Sequence, residues 1–244
     1  MADRGELHVY PDGEVLARTV ADVFVSIGRQ ASAERGAFRV ALSGGNTPRA
    51  AYELLGQEPL RNQLSWSEVF IYFGDERCVP PTDERSNYRM AKRAFLDAVG
   101  IPDANVNRIR GEDDPGLAAN EYASLIRTDL GSSPRFDLIM LGLGPDGHTA
   151  SLFPGTPPET DAAVLVRAVD VPAQGMWRVT ITPKVINLAY NVVFVVEGAE
   201  KAEILAAVYQ GPIDPVKYPA QIVAPKDGRL TWLVDNAAAA KLKA

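Results

Sequence analysis

The chain has 244 residues, 46% of them hydrophobic and 23% charged, and carries a formal net charge of −6 at pH 7. That length suits one large domain with a sizeable core, since roughly two-thirds of the unfolded surface leaves water at this size. The composition is that of a soluble globular protein, and the acidic balance argues against nucleic acid or an anionic membrane as a partner. An anionic ligand would have to be met by a local cluster of Arg, Lys and backbone N–H groups.

Cys78 is the sole cysteine, which excludes an intrachain disulfide and a multi-Cys zinc site and fits a reducing compartment. The opening MADRGELHVY has no apolar core of signal-peptide length, and no apolar run approaches the ~20 residues of a membrane span. Phe136–Leu143, among the longest such runs, is strand-sized. A soluble, cytoplasmic protein is expected.

In chain order, apolar runs predict strands near Leu7–Tyr10, Phe38–Leu42, Glu68–Tyr72, Phe136–Leu141, Trp177–Ile181, Val192–Val196 and Thr231–Val234. Several are rich in Val, Ile and aromatics, as strands buried on both faces should be. Between them, helical patterns are expected at Glu14–Arg35, Pro48–Leu55, Arg89–Val99, Leu117–Leu130, Val185–Ala189 and Lys201–Tyr209, with Ala237–Ala240 ending a surface helix. The alternation predicts a largely parallel sheet covered by helices. No repeat or low-complexity linker interrupts it, and Pro154–Pro158 reads as a stiff loop, so one domain over residues 1–244 is expected. In such a sheet, ligands bind at the carboxyl ends of the strands. Three of the loops found there are unusual.

The first is Ser43-Gly44-Gly45-Asn46-Thr47-Pro48. Its glycines allow close backbone approach, Thr47 reads as a helix N-cap and Pro48 as the first helical residue. Free N–H groups and the helix dipole together favour an anion. The loop is too short for a Walker motif and lacks that motif's lysine.

The second is Gly74-Asp75-Glu76-Arg77-Cys78-Val79-Pro80-Pro81, followed by Ser86-Asn87-Tyr88. Three successive charges cannot stay in an apolar sheet and are expected at its edge. There the carboxylates can orient substrate hydroxyls and Arg77 can fork onto a phosphate or carboxylate. Cys78 is expected to be a small, buried or half-buried residue without a nucleophilic role.

The third runs Gly142-Leu143-Gly144-Pro145-Asp146-Gly147-His148-Thr149-Ala150-Ser151-Leu152-Phe153-Pro154. Gly142, Gly144 and Gly147 satisfy G-x-G-x-x-G. That fingerprint should open a long helix, whereas Pro154, Pro157 and Pro158 break the chain, so NAD binding is not expected. Of the two histidines, His8 falls in the first strand and is expected to pack or face solvent. His148 stands in the glycine-rich loop, and imidazole with an ordinary pKa of ~6.5 can take a proton from water at neutral pH. Asp146 and Asp75 are both candidates to fix its tautomer.

These loops resemble the 6-phosphogluconolactonase family, which sits in a wider group with the glucosamine-6-phosphate deaminases. Arg178-Val179-Thr180-Ile181-Thr182, Asn187-Leu188-Ala189, Gly198-Ala199-Glu200-Lys201-Ala202 and Trp232-Leu233-Val234-Asp235 extend the likeness along nearly the whole chain. The resemblance implies a modified doubly wound (Rossmann-like) α/β fold, mostly parallel, with helices on both faces. It implies hydrolysis of 6-phosphogluconolactone in the oxidative pentose phosphate pathway. Ser43, Gly44, Gly45 and Thr47 would lie beside the sugar phosphate, Arg178 and Lys201 would supply counter-charge, and Asp75 and Arg77 would line the same pocket. His148 would be the general base and Asp146 its support, although Asp75 and Glu76 remain open as its carboxylate partner. No cofactor or metal is implied, and the partner would be a small sugar-phosphate lactone, met by a monomer or weak homodimer.

Two other readings share these residues. A sugar-phosphate isomerase or deaminase would use Asp75 as base, but the deaminases carry a Tyr where Arg77 stands and a Phe-Asn-Glu-type continuation where Ser151–Pro154 stands. A non-enzymatic sugar-phosphate sensor would keep the pocket without turnover. Trp177 and Trp232 are expected in the core.

Overall fold

The computed structural model describes residues 4–156, 161 and 163–243; Pro157 and Pro158, read above as helix breakers, lie outside the described residues. Six strands form an all-parallel sheet: β1 (Glu6–Tyr10), β2 (Phe38–Leu42), β3 (Val69–Phe73), β5 (Leu138–Gly142), β8 (Asn191–Val196) and β9 (Arg229–Asp235). Their order across the sheet is β1-β9-β8-β5-β2-β3. From Val192 to Val196 every residue of β8 is at most 3% exposed. Successive side chains on a strand point to opposite faces, so both faces of the sheet are covered.

The first helix, α1 (Gly13–Arg35), shows why the boundaries fall where they do. Asp12 Oδ1 accepts the Val15 N–H at 2.9 Å, and the chain leaves through Gly36 at φ 72°, a left-handed exit that glycine adopts readily. The fourth helix, numbered α4 in chain order (Pro115–Leu130), likewise starts on Asp114, with Pro115 in its first turn. The remaining helices are α2 (Asn46–Leu55), α3 (Asn87–Ala91), α5 (Pro183–Leu188), α6 (Ala202–Tyr209) and α7 (Asn236–Ala239). The helix expected at Arg89–Val99 is thus short, widening into a π-type turn over Lys92–Leu96. No helix is long and apolar enough to cross a membrane among the described residues.

The strand order reverses between β2 and β5. From β2 the chain steps outward to β3, then returns past β2 to β5 and continues through β8 to β9. Loops leaving adjacent strands at such a reversal diverge and open a crevice. The glycine loop after β2 and the His148 loop after β5 flank that point, their strands in register at Val40↔Leu138 and Ala41↔Ile139.

A second, antiparallel sheet orders β4 (Asp75–Arg77), β7 (Met176–Ile181) and β6 (Val166–Val171). The three charges after β3 do leave the main sheet, but as a strand and not as a loop: Asp75 pairs with Thr180, Glu76 with Val179 and Arg77 with Arg178. Side-chain alternation at the start of β7 turns Arg178 inward at 7% exposure and Trp177 outward at 46%. The expectation that Trp177 is core is therefore corrected. Trp232 is core, stacked on Phe194 with ring centroids 3.9 Å apart.

Candidate active site

The turn after β2 is tighter than its sequence suggests. α2 starts at Asn46 with Gly45 as its N-cap, at φ 107°, and no side chain caps it. Thr47 and Pro48 are consequently the second and third helical residues, a correction to their expected cap and first-turn roles. Gly45 accounts for the shift, since only glycine takes that backbone conformation freely. A Cβ on Gly44 would lie 1.9 Å from Asn87 Oδ1, so this loop and the start of α3 touch backbone to side chain. Tyr52 holds the loop from beneath, its hydroxyl 3.2 Å from both the backbone N and O of Ser43. The Ser43 hydroxyl is buried with no hydrogen-bond partner among the described residues.

Asp75 joins three elements. Its Oδ2 accepts the Ser151 hydroxyl at 2.6 Å and lies 3.4 Å from the Arg178 guanidinium, and its Oδ1 accepts from Asn87 Nδ2 at 3.2 Å. Both Asp75 and Arg178 are buried. Desolvation lowers the Arg178 pKa despite the neighbouring Asp75 carboxylate. Arg178 also donates to Gln174 Oε1, while its Nε has no partner among the described residues.

Glu76 points the other way along the strand. It accepts from the backbone N–H groups of Arg77, Asn87 and Tyr88 at 2.7–2.8 Å and from the Ser86 hydroxyl at 3.0 Å. Burial pushes its pKa up, against the pull of these donors. Glu76 thus fastens the start of α3 to β4 and does not reach His148. Arg77 donates to the Arg85 carbonyl. Cys78 is half-buried, and desolvation pushes its thiol up to about 11, which keeps it protonated and unreactive at neutral pH.

His148 is paired with Asp146. The Asp146 Oδ1 accepts the His148 backbone N–H at 3.1 Å and sits 2.5 Å from Nδ1. Of the three candidate carboxylates, Asp146 is the one that pairs with the imidazole among the described residues. With Nδ1–H donated to Asp146, Nε2 carries the free lone pair. Burial opposes ionisation of Asp146, but the His148 N–H and the charge and hydrogen bond of the imidazole outweigh it, leaving the carboxyl below its usual range. The ring is seated closely: a Cβ on Gly144 would fall 2.1 Å from Nδ1, and Gly144 N donates to the His148 carbonyl at 2.8 Å. The chain then passes through Ala150 at φ 48°, a left-handed residue other than glycine, costing roughly 1 kcal/mol. That turn delivers Ser151 to Asp75.

Phe153 completes the arrangement. Its ring centroid is 4.5 Å from that of His148, and the Arg178 guanidinium lies over it at 5.6 Å. Lys201 ends a 3₁₀ turn, Ala199–Lys201, after β8, the strand beside β5. It forms no ion pair among the described residues. His8 is exposed on β1, 3.7 Å from Glu6. No cluster of three His, Cys, Asp or Glu side chains is placed to hold a metal among the described residues. Sequence reasoning named Asp75, Arg178 and His148 but passed over Ser151, Asn87 and Phe153 as individual site residues. Their signal was present, because a hydroxyl, an amide and an aromatic stand inside the motifs already singled out.

A parallel sheet whose strand order reverses between two glycine-bearing loops, one of them carrying a His–Asp pair, defines an open α/β enzyme architecture. The family model for glucosamine-6-phosphate isomerases/6-phosphogluconolactonase matches residues 11–232, and the chain belongs to that family. It is 43% identical over 221 residues to a 6-phosphogluconolactonase of a Synechocystis species, with 88% of each chain covered. A Nostoc 6-phosphogluconolactonase is 37% identical over 243 residues, covering 97% of this chain and 98% of that one. The solved structure of 6-phosphogluconolactonase from Trypanosoma cruzi superposes with a TM-score of 0.88 at 29% identity, covering 100% and 99% of the two chains. A monomeric glucosamine-6-phosphate deaminase, at 18% identity and TM-score 0.83, shares the fold.

Proposed function

We propose that this chain hydrolyses 6-phospho-D-glucono-1,5-lactone to 6-phospho-D-gluconate, the lactonase step of the oxidative pentose phosphate pathway. The observation that carries the reading is the Asp146–His148 pair, oriented through Nδ1 so that Nε2 is free at the sheet's reversal point. His148 Nε2 takes a proton from water as the oxygen attacks the lactone carbonyl carbon. The tetrahedral adduct collapses with cleavage of the bond from that carbon to the ring oxygen. The imidazolium returns its proton to that oxygen, and the new carboxylic acid ionises, so one proton is released per turnover. Asp146 holds the tautomer and stabilises the imidazolium.

The substrate phosphate sits at the uncapped start of α2, against Ser43, Gly44, Gly45 and Thr47, with Arg178 and Lys201 as counter-charges and Arg77 on the same wall. Asp75 serves this pocket by holding Arg178 and Asn87. The deaminase reading is disfavoured because Asp75 would need a free carboxylate to accept a carbon-bound proton, and Ser151, Asn87 and Arg178 occupy it. The enzyme works in the cytoplasm as a monomer or weak homodimer, with neither nucleic acid nor membrane as partner, as its net charge of −6 supports. Supplying the purified chain with the lactone and, separately, with glucosamine 6-phosphate tests the assignment. Accelerated acid release from the first and no ammonia from the second is the expected result; the reverse pattern overturns it.

A further inference from the structure

Gly147 separates Asp146 from His148, and a segment remote in sequence presses on it. At φ 84° Gly147 is left-handed, and a Cβ there would lie 2.9 Å from Tyr218 Cδ1, 3.3 Å from Tyr218 Cα and 3.4 Å from Ile204 Cδ1. Two main-chain bonds fix the same contact, Ala220 N to the Gly147 carbonyl at 2.9 Å and Gly155 N to the Val216 carbonyl at 3.0 Å. Residues 211–222 therefore form a strap that touches the His148 loop at both ends of its turn.

The strap is itself tied down by one side chain. The Gln221 amide nitrogen lies 3.3, 3.2 and 3.1 Å from the carbonyls of Ala207, Val208 and Pro212, and its Oε1 accepts the Asp214 N–H at 2.6 Å. Two of those carbonyls belong to the last turn of α6, where the Ala207 carbonyl also accepts the Gly211 N–H at 3.2 Å and the Val208 carbonyl accepts from the Arg4 guanidinium. Asn187 fastens the far end, donating to the Ile222 carbonyl at 2.9 Å and accepting from Ala224 N at 2.8 Å.

We infer that Tyr218 and Gln221 are positioning residues for His148: Gln221 anchors the strap to α6, and the Tyr218 ring buttresses Gly147 so that the Asp146–His148 pair keeps its alignment. The inference rests on His148 being the general base. Tyr218 acts through packing, so its ring matters and its hydroxyl does not. Misplacing a reacting group by about 1 Å can cost on the order of a hundred-fold in rate, so a loosened turn should reduce kcat while leaving the phosphate contacts, and hence KM, in place.

The test compares steady-state lactone hydrolysis by the full chain with its Tyr218→Ala, Tyr218→Phe, Gln221→Leu and His148→Ala variants. Expected are kcat losses of roughly ten-fold or more for Tyr218→Ala and Gln221→Leu, with KM within about two-fold, and recovery of kcat in Tyr218→Phe. Should Tyr218→Ala fail to fold, Tyr218→Leu takes its place. Unchanged kcat in Tyr218→Ala alongside a crippled His148→Ala overturns the strap's role, as does a Tyr218→Phe as slow as Tyr218→Ala. Full activity in His148→Ala instead removes the base assignment on which the inference stands.

Discussion

The Ser151 hydroxyl lies 2.6 Å from Asp75 Oδ2, joining the His148 loop to strand β4 across 76 positions of sequence. Through this bond the second sheet is tied to the His148 loop, since Asp75 also faces Arg178 and Asn87. Asp75→Ala would strand a buried guanidinium, and breaking a buried pair from one side costs about 3 kcal/mol or more. Urea unfolding should show that loss, and the surviving enzyme should have a raised KM. Ser151→Ala should be milder, about 1–2 kcal/mol, because it leaves one acceptor short of a donor.

Asp146→Asn should lower kcat by roughly a hundred-fold with little change in KM, because the amide neither fixes the tautomer nor stabilises imidazolium. Initial rates at saturating lactone measure this directly.

The same carboxyl makes a pH prediction. Asp146 is held below its usual pKa in the folded chain, so its ionised form favours folding. That contribution is complete above the unfolded Asp value of ~3.9 and is lost as pH falls through the lower folded value. The stability gap between wild type and Asp146→Asn should therefore narrow as pH falls from about 4 to about 2. Urea midpoints across that range check the sign; a gap that widens on acidification contradicts it.

Gly144→Ala should be nearly as damaging as loss of the imidazole, since its Cβ would lie 2.1 Å from His148 Nδ1. A kcat loss on the order of a hundred-fold, with the fold intact by circular dichroism, is expected. A near-normal rate would mean that the ring has room to move.

Much of this was legible in the residues. The run Val192–Val196 that became most of β8 is buried on both faces and therefore continuously apolar, and the cap of Asp12 and exit of Gly36 mark α1 at both ends. The three loops stood out because glycine, charge and histidine at a sheet edge have few structural uses. β4 was hidden because Asp75-Glu76-Arg77 has no strand signal of its own; its conformation comes from pairing with β7. The α2 cap was misassigned because Gly45 turns the chain earlier than Thr47-Pro48 implied. Trp177 was misplaced because hydrophobicity alone does not say which face of a peripheral strand looks out. Gln221 and Tyr218 gave no local sign, as their role depends on where α6 and Gly147 meet in space.

The central claim is that His148 activates water for attack on the lactone carbonyl. Proton release from freshly prepared 6-phospho-D-glucono-1,5-lactone near pH 7, followed in wild type and His148→Ala, tests it most directly. A wild-type rate well above spontaneous hydrolysis, with kcat reduced a hundred-fold or more in the variant, is the predicted result. Equal rates in the two proteins would contradict it.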